Sequence, residues 1–378
     1  MENYRGQWEN FKGSVRARGP MKRSRKLWMF LSFFNKELID TIGTETNRYT
    51  EQFLCGRELS VRSHARAWKP VTEDEIYVVL GLFLLMGIIQ KPTLWSYFTM
   101  KRVISTLRFR DIITRDRLEL ILKYLHFDDN ENISTFEGPE ILFKIFPVIS
   151  HLNNKFQELY LPNQDISTDE SLTLWKGHLS FKQYPLLKAS KFGIKIYELC
   201  YSTTGYLWSF LVYTGKDTAL DSPLTTADTN KTSAIVLKLV EPLLKHDQTV
   251  WMDKSMIGVD LKDQLLHSYL TERKHINKWY MKLFRRLLNT SILNALIIYR
   301  DNTGKITDQL SFRIQLIEGL FVKYASAVEH QVPGQHSPDN TVPLLTERHF
   351  ISKIPPTTKK SRPKKRYVVC LTCSLSNV

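Results

Sequence analysis

The sequence predicts an α+β protein, a mixed β-sheet core flanked before and after by mostly helical chain. Three observations lead there. Residues 28–160 carry helical patterning, residues 164–252 switch to alternation broken by turn signals, and residues 260–300 return to helix. The 378 residues are 43% apolar and 24% charged, the proportions of a folded protein, which excludes a disordered, collagenous or disulfide-stapled chain.

The elements follow in chain order. Residues 1–27 are polar and basic (Lys12, Arg16, Arg18, Lys22, Arg23, Arg25 and Lys26 among them) and read as a disordered arm. Thr72-Glu73-Asp74-Glu75 is a capping box, in which the Thr72 hydroxyl takes the Glu75 amide and the Glu75 carboxylate reaches back. The apolar run Ile76–Ile89 follows, too short to span a bilayer and so expected as a buried helix, with Gln90-Lys91-Pro92 as its stop. Helical patterns recur near Arg115–Leu125 and Phe143–Leu159. Asp165–Leu174, Phe192–Tyr201 and Tyr206–Tyr213 read as strands, the last two joined at Thr203-Thr204-Gly205 into a hairpin. Thr232–Leu244 reads as a helix and Gln248–Met252 as a fourth strand. A strand reached through a helix pairs in parallel, so the sheet is mixed. Residues 330–366 break periodicity with repeated prolines and end in the basic run Lys359–Arg366, which suits nuclear import.

The charge balance points to a partner. Lys plus Arg is 53 against 38 acids, a net charge of +15, which suits a polyanion, nucleic acid ahead of a membrane surface. Lys274, Lys278, Lys282 and Arg286 recur every four residues. They are equally a stripe along DNA or a solvated face over the apolar stripe of Trp279, Leu283, Leu287 and Leu288. Lys101, Arg102, Arg108 and Arg110 form a second basic group, open to the same two readings. The four cysteines, of which only Cys370 and Cys373 are close in sequence, suit a reducing compartment.

The chemistry rests on acids. Asp169 lies in the first strand, Asp253 just past the fourth, and Asp260 and Asp263 in Gly258-Val259-Asp260-Leu261-Lys262-Asp263-Gln264. In a ribonuclease H-like sheet the first and fourth strands are neighbours, so their acids meet at one edge. Converging carboxylates suit hard Mg²⁺ or Mn²⁺, and two such cations about 3.5–4 Å apart serve phosphoryl transfer.

At these residues the chain resembles the piggyBac transposable element-derived proteins. Ile166–Leu172, Trp175-Lys176-Gly177 and Phe181-Lys182-Gln183-Tyr184 are similar to the family's first-acid block. Val250-Trp251-Met252-Asp253 is similar to the second. Gly258-Val259-Asp260 with Asp263-Gln264, Tyr269, Arg273-Lys274, Lys278-Trp279 and Asn294-Ala295 is similar to the third. The resemblance implies a ribonuclease H-like DDE transposase of the cut-and-paste type. Metal-binding catalytic acids then fall at Asp169, Asp253 and Asp260, with Asp263 as a supporting catalytic acid and a two-metal Mg²⁺ or Mn²⁺ site. It also implies double-stranded DNA as partner (transposon ends and a TTAA target), a homodimer and the nucleus, with no membrane and no small-molecule substrate. Arg273, Lys274, Lys278, Lys282 and Arg286 are the expected DNA contacts.

The resemblance implies departures too. In the family an Asn, an aromatic segment, a further helix and strand and an inserted domain separate the second and third acid blocks. Here Asp260 follows Asp253 by seven residues, at most about 23 Å of extended chain. Such a core is incomplete, with activity expected to be impaired, and the alternative is a domesticated, non-catalytic nuclear DNA-binding protein. The family's Cys-rich zinc domain is represented by Cys370 and Cys373 alone, two of the four ligands a structural zinc needs, so zinc is not expected there. The expected organisation is an arm at 1–27 and helical dimerisation and DNA-binding regions at 28–163 and 264–328. Between them lies the incomplete catalytic core at 164–263, and a basic linker with the zinc-domain remnant follows at 329–378.

Overall fold

In the computed structural model the described residues are 16–17, 26–61, 63–184, 192–215, 218, 220, 226, 228–243, 248–252, 258–272 and 278–325. All belong to the first of two compact units, residues 1–330. Most of the basic arm, Asp253, Arg273, Lys274, Cys370, Cys373 and the Lys359–Arg366 run lie outside them.

The capping box forms as the sequence requires. It opens α3 (Glu73–Ile88), with Glu75 N donating to Thr72 Oγ1 and Thr72 N to Glu75 Oε2, both at 3.2 Å. Glu75 is buried, and its charge is met by Arg117, whose Nε and Nη2 reach its two carboxylate oxygens at 2.8 and 2.6 Å. This two-pronged pair ties α3 to α5 (Arg115–Tyr124). The apolar run is buried on nearly all sides, between α2 (Lys36–Leu54) and α10 (Gln309–Tyr324). α1 (Lys26–Phe33) packs on α10 and on α9 (Trp279–Thr303), so helices from both ends of the unit share one core. Between α3 and α5 lies the short α4 (Leu107–Ile112), and α6 (Phe146–Leu159) leads towards the sheet. Among the described residues no helix is long and apolar enough to cross a membrane.

A two-stranded ribbon pairs β1 (Arg16–Ala17) with β2 (Tyr160–Leu161), antiparallel. The main sheet contains β3 (Asp165–Leu174), β4 (Gly193–Tyr201), β5 (Leu207–Val212) and β6 (Thr249–Trp251), in the order β5-β4-β3-β6. The first three run antiparallel. β6 arrives through α7 (Lys231–Val240) and lies parallel to β3, with Ser167 opposite Trp251. The neighbouring of first and fourth strands is therefore present.

The two edges are treated differently. Along β5, α9 sends Asn294, fully buried, to both polar groups of Leu207: Leu207 N donates to Asn294 Oδ1 at 3.0 Å and Asn294 Nδ2 to Leu207 O at 2.8 Å. Asn153 of α6 accepts from Phe210 N at 2.9 Å. Two asparagines thus do for this edge what a further strand would do. Along β6, Met252 is exposed, and among the described residues no strand pairs on the outer side.

One expected element changes. The helical return over 260–300 is two helices, α8 (Gly258–His267) and α9, separated by a non-helical stretch at 268–272, further residues outside the described set and Lys278 as the α9 N-cap. The apolar pattern on each side is helical, but α8 docks on the sheet while α9 runs through the shared core, so the chain must change direction between them.

Candidate functional site

The site is built on one face of the sheet. In a strand alternate residues share a face, and directly opposed residues of paired strands share it too. Ser167, Asp169, Ser171 and Thr173 of β3 therefore lie on the face that bears Cys200, Glu198, Ile196 and Ile194 of β4, with Asp169 directly opposite Glu198. Asp169 is exposed, and its Oδ1 accepts the Glu170 amide at 2.7 Å.

α8 covers part of this face because its first residue has no side chain. A Cβ on Gly258 would stand 2.3 Å from Ser167 Oγ, 3.1 Å from Ser202 Cα and 3.3 Å from Tyr201 O. Gly205, at φ +72° in the β4–β5 turn, approaches the same helix, and a Cβ there would lie 3.1 Å from Lys262 N. Two glycines thus let α8 sit directly on the strands. Its first turn also carries Asp260, which is exposed.

Beside Asp169 lies a quartet of opposite charges, three of them buried, none of it anticipated as a unit. Lys262 of α8, fully buried, bonds Glu198 of β4, which is 2% exposed. Lys262 Nζ also lies 3.1 Å from Asp263 Oδ1. Arg286 of α9 donates Nη2 to the same Asp263 oxygen at 2.8 Å and stands 3.7 Å from Glu198 Oε1. Two acids and two bases cancel, which is the condition for keeping Lys262, Glu198 and Arg286 out of water, while the Asp263 side chain stays 39% exposed. Burial draws the Lys262 ammonium down from its ordinary range to about 7, and the neighbouring Asp263 opposes that fall, with Asp169 adding to it. Burial pushes the Asp263 carboxyl upward, but Lys262 and Arg286 outweigh it and hold it below its usual range. Asp263 is thus committed to cations of the protein, as a supporting acid would be. The signal available in the sequence was Glu198 itself, a carboxylate on the Phe192–Ile194–Ile196 face of an apolar strand, which requires a buried cation opposite.

The basic stripe is corrected as an exposed row. Lys278 caps α9 and donates Nζ to the Lys123 carbonyl at 2.6 Å, and burial with Lys144 nearby lowers its pKa to about 8. Lys282 and Arg286 are each 8% exposed. The reason is the position of α9, which is enclosed by α1, the sheet and α8, so Arg286 points inward to Glu198 and Asp263. Arg273 and Lys274 lie outside the described residues. By contrast Lys101, Arg102, Arg108 and Arg110 are all exposed.

A hard cation asks for carboxylate oxygens open to water. Asp169 and Asp260 are exposed, whereas Asp263, partly exposed, is already paired with Lys262 and Arg286. The strand carrying the chain to Asp253 ends at Trp251 opposite Ser167, the same two residues short of Asp253 as Ser167 is of Asp169. Among the described residues no three His, Cys, Asp or Glu side chains gather tightly enough to hold a metal ion.

The family model described as Transposase IS4 matches residues 27–265, more than half of the chain, running from α1 into α8. The chain belongs to this family, in its piggyBac type. PiggyBac transposable element-derived protein 2 of Homo sapiens is 31% identical over 199 residues, 51% of this chain and 31% of that protein. PiggyBac transposable element-derived protein 3 of Homo sapiens is 26% identical over 187 residues, 49% of this chain and 28% of that protein. The chain therefore spans about a third of the length of these relatives. A cryo-EM structure titled as a piggyBac transposase synaptic complex with hairpin DNA superposes with a TM-score of 0.69 at 18% identity, covering 90% of this chain and 94% of that one. The likeness shows that the mixed α+β architecture of this piggyBac-type chain is that of a piggyBac transposase.

Proposed function

We propose that this chain is a piggyBac-type transposase derivative that binds double-stranded DNA in the nucleus as a homodimer. Its sheet is the incomplete ribonuclease H-like core of a cut-and-paste enzyme. Asp169, Asp253 and Asp260 are the residues that would hold Mg²⁺ or Mn²⁺, which supply Lewis-acid stabilisation of the attacking and leaving oxygens when bound. Asp263 orients the helix of Asp260 through Lys262 and Arg286. The observation that supports this reading is the parallel pairing of β3 with β6, Ser167 opposite Trp251, with α8 seated on β3 through Gly258.

The seven-residue interval after Asp253, and the lack among the described residues of a strand on the outer side of β6, favour a second reading, a DNA-binding protein of the same descent with no nuclease role. Both are tested together. The purified chain is incubated with end-labelled duplex containing TTAA, with Mg²⁺ or Mn²⁺, and binding and strand nicking are followed as salt is raised. Binding that weakens with salt, with little or no nicking, is the expected result. Strong nicking lost in Asp169→Asn would establish the catalytic reading in full, and no binding at low salt would overturn both.

A further inference from the structure

The segment between α3 and α4 is an unusual surface. It displays Met100 (77% exposed), Val103 (96%) and Ile104 (46%) to water, beside the exposed cations Lys101 and Arg102 and with Arg108 and Arg110 on the adjoining α4. None of these four cations has an ion-pair partner among the described residues. The display is not a slack loop. Tyr97, 2% exposed and tilted against Phe109 with ring centres 4.6 Å apart, donates its hydroxyl to Ile89 O at 2.9 Å and accepts from Lys91 N at 3.0 Å. Lys91 Nζ bonds the carbonyls of Ser96 and Ile104, and Ile104 N closes a turn on Lys101 O at 3.0 Å. The turn Lys101–Ile104 is thus braced from below while its tip holds two cations and two branched apolar side chains outward. Uncovered apolar surface on a braced turn marks a contact site, and unpaired cations around it specify a polyanion.

We propose that the turn Lys101–Ile104 is a finger that docks on duplex DNA. Lys101 and Arg102 meet phosphates, and Val103 and Ile104 lie against the sugar walls of a groove. The proposal rests on the DNA-binding reading above, and its test separates the two. Binding of the full chain to a fluorescein-labelled duplex of about three helical turns is measured by anisotropy across a KCl series, for wild type, K101E/R102E, V103S/I104S and the distant exposed control K305E. All four substituted tip residues are solvent-facing, so unchanged circular-dichroism melts are required of each variant. K101E/R102E is expected to reduce the slope of log K against log salt by about 2. V103S/I104S is expected to weaken binding about tenfold with the slope intact. Wild-type binding with no slope change in K101E/R102E, or an equal change per charge in K305E, would overturn the finger and leave the DNA reading standing. Unaltered affinity in V103S/I104S would remove its apolar half. Absence of wild-type binding at low salt would overturn both.

Discussion

Lys262→Met is expected to lower folding stability by about 3–5 kcal/mol, read by urea denaturation at neutral pH. The loss is larger than that of a surface ion pair because Lys262 is fully buried and Glu198 is 2% exposed. Removing the ammonium leaves Glu198 facing Asp263 with only Arg286, 3.7 Å away, to serve both. The cost is that of an uncompensated charge, so removing the charge as well should recover most of it. The double variant Glu198→Met with Lys262→Met is expected to return to within about 1 kcal/mol of wild type, since Asp263 and Arg286 remain as a neutral pair. A single variant as stable as wild type would mean that the quartet does not hold α8 to the sheet.

The second large effect concerns how closely α8 approaches. Gly258→Ala places a methyl group 2.3 Å from Ser167 Oγ and near two backbone atoms, Ser202 Cα and Tyr201 O. The contact with the hydroxyl is the severe one, and the backbone atoms at 3.1 and 3.3 Å leave the methyl little room to escape it. The helix must lift, at a cost of about 1–3 kcal/mol. Ser167→Ala removes the nearest atom, and Ser167→Ala with Gly258→Ala is expected to be more stable than Gly258→Ala alone. Failure of that rescue, with urea midpoints equal in the two proteins, would place the strain elsewhere.

Much of the fold was legible because the patterns are strong and local. The capping box at Thr72 and the alternation of Asp165–Leu174 both set their elements to within a residue. The parallel pairing of the last strand followed from one physical rule, that a helical crossover joins parallel strands, and its place beside the first strand from the ribonuclease H-like arrangement. The uncertain part was what faces what. Lys274–Arg286 has the spacing of a helical stripe whether that stripe meets water, DNA or buried acids. The choice is made by Glu198 and Asp263, some 88 and 23 residues before Arg286 in the chain. The break after His267 was hidden for the same reason, since periodicity reports a helix but not the tertiary contact that turns the chain. Asp169 and Asp260 were named by resemblance. How closely α8, which carries Asp260, seats on the strands depends on Gly258 and Gly205, whose missing side chains are read correctly only once their neighbours are known.

The most direct test of the account is a Mn²⁺ titration followed by electron paramagnetic resonance, on wild type, Asp169→Asn, Asp260→Asn and Asp263→Asn. It requires no turnover and no knowledge of the DNA sequence recognised. The account predicts that wild type binds Mn²⁺ and that Asp169→Asn and Asp260→Asn each weaken binding by at least about tenfold, while Asp263→Asn chiefly lowers stability. Equal Mn²⁺ affinity in wild type, Asp169→Asn and Asp260→Asn would contradict it.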